Sequence, residues 1–157
     1  MIQRTLIFRF LLALIAVAAG APAAAQLKDV PAQFHGKWVP TKATCESPAA
    51  LVVSADRLTV VNGKDSEAIG GIEMAGPGFF PPGYRGIMAV AITEFSGQQP
   101  ATATFNVGDK KGVAVIEFAP MMSKGNPQQN AYNARISKLN LAKRFPLNNV
   151  PLKRCAK

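Results

Sequence analysis

The chain has 157 residues, a formal net charge of +9, two cysteines and a single histidine. This length suits one domain with one core, and an apolar content of 48% argues against a disordered body. One histidine and no Cys-x-x-Cys pair argue against a metal site and a redox centre, so we predict no metal and no cofactor.

Residues 1–25 have the features of a cleaved export signal. Arg4 and Arg9 make the start basic, a ten-residue apolar run follows, and three alanines precede Gln26. The apolar run is about half as long as a membrane-spanning helix requires, so a retained anchor is the less favoured alternative. We expect a single mature domain, residues 26–157, in the periplasm or secreted. After cleavage it should not be an integral membrane protein.

Short β-rich runs separated by Gly, Asn, Asp and Pro follow the signal, and we detect no amphipathic stretch of helix length. The dipeptide Asn62-Gly63 predicts a tight turn after one of these runs. The predicted strands before the best-defined hairpin cover residues 51–53, 57–61, 68–74 and 86–95.

The strongest strand signal is the strict alternation of residues 101–107, which places Phe105 and two alanines on one face and threonines on the other. A turn then leads to residues 113–118, and the two runs predict a hairpin. A polar loop over 120–133 and a last strand over 135–141 complete the pattern. We predict an all-β domain, a single small antiparallel barrel or sandwich built as a meander of six to seven strands.

Cys45 and Cys155 are the two cysteines, and an even count in an oxidising compartment predicts one disulfide. The bond would close a long loop, for which the chain-entropy model gives a stabilisation of nearly 5 kcal/mol as an upper guide.

A Gly- and Pro-rich loop over residues 76–86 carries three aromatic residues and an arginine. One interpretation is a stiff aromatic rim over a binding pocket. The other is a crossover loop whose adjacent phenylalanines cap the core, because two neighbouring phenylalanines are rarely both exposed. The candidate ligand contacts in and beyond this loop are Phe79, Phe80, Tyr84, Arg85, Met121 and Met122.

Positive charge is concentrated at the carboxyl end of the chain. No acidic residue follows Glu117, whereas eight lysines and arginines do. Such a region favours anionic partners, and a solvated face that only aids solubility is an equal alternative. The candidate residues for binding an anionic surface are Lys138, Lys143 and Arg144. Nucleic acid is disfavoured as a partner by the expected compartment.

The start of the mature domain, Phe34-His35-Gly36-Lys37-Trp38, resembles the opening of calycin-type barrels, that is, lipocalins, fatty-acid-binding proteins and avidins. In those families the tryptophan plugs one end of the barrel, and a basic side chain packs over its ring.

The resemblance implies a structural role for Gly36 and Trp38, with Arg154 or Arg144 as the packing cation. A Cys45–Cys155 bond tying the tail to the first strand is also similar to many lipocalins. The chain departs from them in its shortness, and we expect it to lack their carboxyl-terminal helix. It also looks like small secreted bacterial proteins of unknown function.

The sequence shows no signature of catalysis. A catalytic triad would have to use His35 beside the structural glycine and tryptophan, and the nine carboxylates include no obvious pair. We therefore expect a non-enzymatic binding protein of the bacterial envelope that holds an apolar or anionic small ligand. The alternative is a basic interaction protein that docks on an anionic envelope component or inhibits a secreted enzyme.

Overall fold

A computed structural model of the chain describes residues 29–72, 74–76, 83–91 and 100–156. The predicted signal lies outside this range. The strands within it are β1 Gly36–Pro40, β2 Ala49–Val53, β3 Arg57–Asn62, β4 Asp65–Gly71, β5 Met74–Gly76, β6 Ile87–Ala91, β7 Ala101–Phe105, β8 Val113–Phe118 and β9 Leu152–Arg154.

All nine described strands belong to one curled, barrel-like antiparallel sheet, in the order β4-β3-β2-β1-β9-β8-β7-β6-β5. The sheet consists of two four-stranded meanders, β1–β4 and β5–β8, and the short β9 joins them. The prediction of a mostly-strand fold with an antiparallel sheet is thus confirmed, whereas the count of six to seven strands was too low. The two edge strands, β4 and β5, are separated in the chain by residues 72 and 73 only.

The hairpin predicted from the strict alternation is confirmed. Strand β7 pairs with β8 in the register Ala101↔Phe118 to Phe105↔Ala114, and its buried positions are the two alanines and Phe105. The threonines between them are half-buried. The tight turn at Asn62-Gly63 is also present, between β3 and β4.

Two predicted strands differ in extent from those in the structure. The run 68–74 is divided between β4, which begins at Asp65, and the short β5. The run 86–95 forms β6 as far as Ala91, and its remaining residues lie outside the described part.

The main error of the strand prediction concerns residues 120–141, which we expected to form a loop and a last strand. The structure has a helix there, α1 (Pro127–Leu139), followed by the short α2 (Leu141–Arg144). A capping box begins α1, in which the Asn126 side chain accepts from Gln129 N at 2.9 Å and the Gln129 side chain accepts from Asn126 N at 3.2 Å. None of the described helices has the length and apolar character to cross a bilayer.

The disulfide is confirmed: Cys45 and Cys155 are bonded, with a Cα–Cα distance of 5.7 Å. Cys45 follows β1 and Cys155 follows β9, so the bond joins two loops next to the central strand pair. The amide of Cys155 also donates to the carbonyl of Lys37 at 2.9 Å, which extends the pairing of these strands.

The core fills the inside of the curled sheet. Its largest side chains are aromatic at one end, where the Phe105 ring lies 5.0 Å from Phe34 and 5.2 Å from Trp38 between centroids. Phe145 and Leu147, which follow α2, are fully buried and belong to the same core. The side-chain amide of Asn62, at the end of β3, donates to the carbonyl of Arg144 in α2. The helices therefore cover the end of the sheet opposite the Phe34–Trp38 cluster.

Candidate functional site

A pocket of about 610 Å³ opens at the end of the sheet where β1, β6 and β8 begin and β7 and β9 end. We call it the terminal pocket and define it by its six principal lining residues. These are Phe34, Trp38, Arg85, Asp109, Lys111 and Arg154.

The floor of the terminal pocket is aromatic and rigid. Phe34 and Trp38 are only 3% and 1% exposed, and the indole Nε1 of Trp38 donates to the carbonyl of Phe34 at 2.9 Å. Both rings pack on Phe105 beneath them. A buried indole with a satisfied N–H is fixed in orientation, so this floor is a preformed surface.

Arg154 stands beside Trp38 on the neighbouring strand, because β9 pairs with β1 in the register Trp38↔Arg154. Its Nη1 donates to the carbonyl of Gln33 at 2.5 Å. Gly36 has a φ of +118° and its Cα faces the same guanidinium, since a Cβ there would lie 3.7 Å from Arg154 Nε. Gly36 therefore permits a backbone conformation that residues with a side chain rarely adopt, whereas a Cβ there would only be in ordinary contact with the arginine.

The resemblance implied Arg154 or Arg144 as the cation packed over Trp38, and Arg144 packs on another ring. Arg154 shares the terminal pocket with Trp38, although its side chain stays exposed. Arg144 instead stacks on Phe145, with 4.9 Å between the guanidinium carbon and the ring centroid.

Arg85 is held at the opposite side of the pocket by its backbone. Its N–H donates to Asp109 Oδ1 at 3.3 Å, and its carbonyl accepts from Asn106 Nδ2 at 3.0 Å. The Asn106 Oδ1 accepts in turn from Gly112 N at 2.9 Å. These bonds fix the segment before β6 against the turn before β8, so the guanidinium of Arg85 projects from a braced backbone.

Tyr84, the residue before Arg85, connects this segment to β7 by a hydrogen bond. Its hydroxyl donates to the carbonyl of Phe105 at 2.6 Å. Burial raises the pKa of the Tyr84 hydroxyl, and the nearby charge of Asp109 raises it further. Tyr84 thus remains a neutral hydrogen-bond donor at ordinary pH.

Three cations and one carboxylate give the terminal pocket an excess of positive charge. Within the described residues, neither the guanidinium of Arg85 nor the ammonium group of Lys111 forms an ion pair. Asp109 lies between them in the chain, yet its bonded partner is the backbone N–H of Arg85. The cationic groups are therefore left to solvent or to a ligand.

The predicted ligand contacts do not form one cluster. Arg85 lines the terminal pocket, with Tyr84 behind it. Met121 lines a separate groove of about 310 Å³ between β8 and the helices. Met122 is 49% exposed, and its backbone N–H and carbonyl bond the side-chain amide of Asn133 at 2.8 and 2.7 Å.

Phe79 and Phe80 lie outside the described residues. Sequence reasoning did not select Lys111 and Asp109 for the site, because it interpreted them only as turn residues.

The predicted anion-binding surface is altered by a network that the sequence does not reveal. Lys138 and Lys143 are exposed on α1 and α2, but Arg144 bonds Asp65 Oδ1 at 2.7 Å and Glu67 Oε2 at 3.1 Å. Although no acidic residue follows Glu117 in the sequence, Arg144 has two counter-charges, because both carboxylates lie on β4 next to α2. The Arg144 guanidinium lowers the pKa of Asp65, and the two carboxylates raise the pKa of Arg144.

The single histidine of the chain forms a structural hydrogen bond. The His35 Nε2 lies 2.6 Å from the carbonyl of Val30, at the start of the described chain. Within the described ranges, no group of three or more His, Cys, Asp and Glu residues is arranged to hold a metal ion.

Comparison of the chain with protein families, with curated proteins and with solved structures finds no match.

Proposed function

We propose that this chain is an exported, non-enzymatic binding protein of the bacterial envelope that holds a small anionic ligand in the terminal pocket. The observation that carries the proposal is the set of three cations, Arg85, Lys111 and Arg154, around a preformed pocket. The export signal read from the sequence supports the compartment.

The charge of the pocket favours an anionic ligand over a purely apolar one. The apolar floor is nearly covered, since Phe34 and Trp38 expose 3% or less of their surface. A ligand therefore gains little from burying these rings. In contrast, an acidic group beside an unpaired guanidinium gains a charge-assisted hydrogen bond, which is roughly twice as strong as a neutral one.

The composition of the pocket supports binding rather than chemistry. Serine, threonine, cysteine and histidine are absent from the described wall, and its carboxylate, Asp109, accepts a backbone N–H. The described wall therefore has no hydroxyl or thiol nucleophile beside an imidazole base. Arginine and lysine can orient an anion without such a pair.

The test is calorimetric titration of the mature protein with hexanoate and, as a neutral probe of the same length, with 1-hexanol. We expect hexanoate to bind and hexanol to bind at least tenfold more weakly. Arg85→Gln and Lys111→Gln should each weaken hexanoate binding, because each removes one pocket cation. Lys143→Gln is the matched control, since it removes an equal charge on α2. Equal affinity for both probes, or equal loss in the control, would contradict the proposal.

Docking on an anionic envelope component stays the alternative, and Lys138 and Lys143 favour it because both are exposed. Retention of the Lys138→Ser/Lys143→Ser variant on phosphatidylglycerol vesicles distinguishes the two functions. Loss of retention in this variant, with hexanoate binding absent from the wild type, would favour docking. Such attraction must also weaken as salt rises, because exposed charges are screened beyond roughly 8 Å at physiological ionic strength.

A further inference from the structure

The turn between β3 and β4 contains the only Asn-Gly dipeptide of the chain, Asn62-Gly63. Asparagine before glycine is the pair most prone to deamidation, because a following residue without a side chain leaves its backbone nitrogen accessible to the asparagine amide carbon. Gly63 has a φ of +63° at the start of the turn. It is exposed, as are the residues that follow it in the turn, so water reaches this dipeptide.

The folded structure holds both reacting groups of this dipeptide. The Asn62 side-chain amide donates to the carbonyl of Arg144 at 2.8 Å. The backbone N–H of Gly63 donates to the carbonyl of Pro48 at 3.0 Å, at the end of the pairing between β2 and β3. Deamidation requires the Gly63 nitrogen to approach the side-chain carbon of Asn62, and both hydrogen bonds direct these groups to other partners. The turn must therefore open locally before the reaction can proceed.

Arg144 contacts both strands at this end of the hairpin. Its carbonyl accepts from Asn62 of β3, and its guanidinium bonds Asp65 and Glu67 of β4 at 2.7 and 3.1 Å. The last hydrogen bond of a ladder breaks easily by itself, whereas α2 connects the two strands from the side. Separation of α2 is therefore the step that we expect to limit opening of the turn.

We propose that Asn62 is a deamidation site that becomes reactive when α2 separates from the β3–β4 hairpin, with Arg144 as its positioning residue. In the open turn the Gly63 nitrogen loses its proton to solvent and bonds Cγ of Asn62. The Cγ–Nδ2 bond breaks, and the leaving nitrogen takes up a proton and departs as ammonia. Water then opens the cyclic imide to aspartate or isoaspartate. The inference goes beyond the proposed function, because the terminal pocket lies at the opposite end of the sheet.

The product cannot restore the original contact. A carboxylate at position 62 has no donor for the carbonyl of Arg144, so two acceptors would face each other. Asn62 also lies directly opposite Asp65 in the pairing of β3 with β4. Like charges at opposite positions are destabilising. Deamidation should therefore weaken the attachment of α2 irreversibly and add negative charge beside the cations of this helix.

The test is peptide mapping by mass spectrometry, which separates asparagine, aspartate and isoaspartate at position 62 during incubation of the mature protein at mildly alkaline pH. We expect the folded wild type to deamidate at least about tenfold more slowly than the reduced chain in urea, because the open turn is a minor population. Arg144→Gln should accelerate the folded reaction about fivefold, since loss of one net hydrogen bond shifts an opening equilibrium by roughly that factor. Lys143→Gln, the matched control, should react at the wild-type rate.

Two further variants make the test independent of the folding of Arg144→Gln. Glu67→Gln removes one of the two ion pairs from the side of β4, and it should accelerate deamidation in the same direction. Asn62→Asp reproduces one product of the reaction. In this variant the backbone amides of Arg144 and Phe145, which bond carbonyls at the start of α2, should exchange with deuterium several-fold faster than in the wild type.

Each measurement has an outcome that contradicts the proposal. Equal rates in the folded and the unfolded chain would mean that the fold does not hold Asn62. Wild-type rates in both Arg144→Gln and Glu67→Gln, or equal acceleration in Lys143→Gln, would overturn the control of the reaction by α2. Unchanged exchange in Asn62→Asp would overturn its consequence for the helix. None of these outcomes depends on ligand binding, so they are separate from the test of the proposed function.

Discussion

Replacement of Phe105 by alanine tests the phase of the central hairpin and the packing beneath the terminal pocket. The ring is fully buried and contacts both Phe34 and Trp38. Truncation of a core phenylalanine costs about 3–5 kcal/mol. Aromatic pairs of this kind contribute about 0.5–1.5 kcal/mol each beyond their buried area, so we expect a loss in the upper half of that range, about 4–5 kcal/mol.

The assay is urea denaturation with the disulfide intact, followed by the fluorescence of Trp38, the only tryptophan in the chain. With a slope of about 2 kcal/mol per molar urea, a loss of about 4 kcal/mol lowers the midpoint by about 2 M. Thr104→Ala is the matched control on the other face of β7, and it should cost less than about 1 kcal/mol. A smaller loss for Phe105→Ala than for the control would refute the strand phase.

A double-mutant cycle refines this result. Phe34→Ala and Phe105→Ala should show a coupling energy of about 0.5–1.5 kcal/mol, because the two rings are in contact. Independent effects would mean that Phe105 stabilises the domain by burial alone.

Three further outcomes are expected. The unreduced, denatured protein should contain no free thiol, and replacing Cys45 and Cys155 by serine should lower stability by about 2–5 kcal/mol, as for a bond that closes a loop of this length. The lowered pKa of Asp65 means that its ion pair stabilises the fold above the ordinary carboxyl pKa and is lost as pH falls through the lowered value. The stability difference between wild type and Arg144→Gln, followed by urea midpoints from pH 7 to pH 2, should therefore shrink towards the acid end. The exported product should have the intact mass of a chain that begins at Gln26, and a mass including all 157 residues would exclude cleavage.

The sequence predicted β7 and β8 well because both strands have one buried face, and burial at every second residue leaves a period of two in the residue types. It failed for α1 because that helix has little apolar periodicity. Its buried residues are Asn133 and Ile136, and the asparagine binds backbone groups through its amide. The sequence signal for the helix lies instead at its start, in the capping residue Asn126, in Pro127 and in Gln129.

The candidate site was predictable only in part, for a different physical reason. Arg85 stood out because it lies among glycines, prolines and aromatic residues. Lys111 and Arg154 join it through strand pairing between distant segments, which a linear pattern does not show. The same limit explains Arg144, whose counter-charges lie on β4, far away along the chain.

The position of β9 has a consequence for how the domain is completed. Each four-stranded meander can form from residues close in sequence, but β1 and β8 meet only through a three-residue strand near the carboxyl terminus. A chain that leaves a ribosome or a translocation channel amino end first would hold two unjoined halves until β9 emerges. Deletion of Leu152–Arg154 would therefore act on the middle of the sheet.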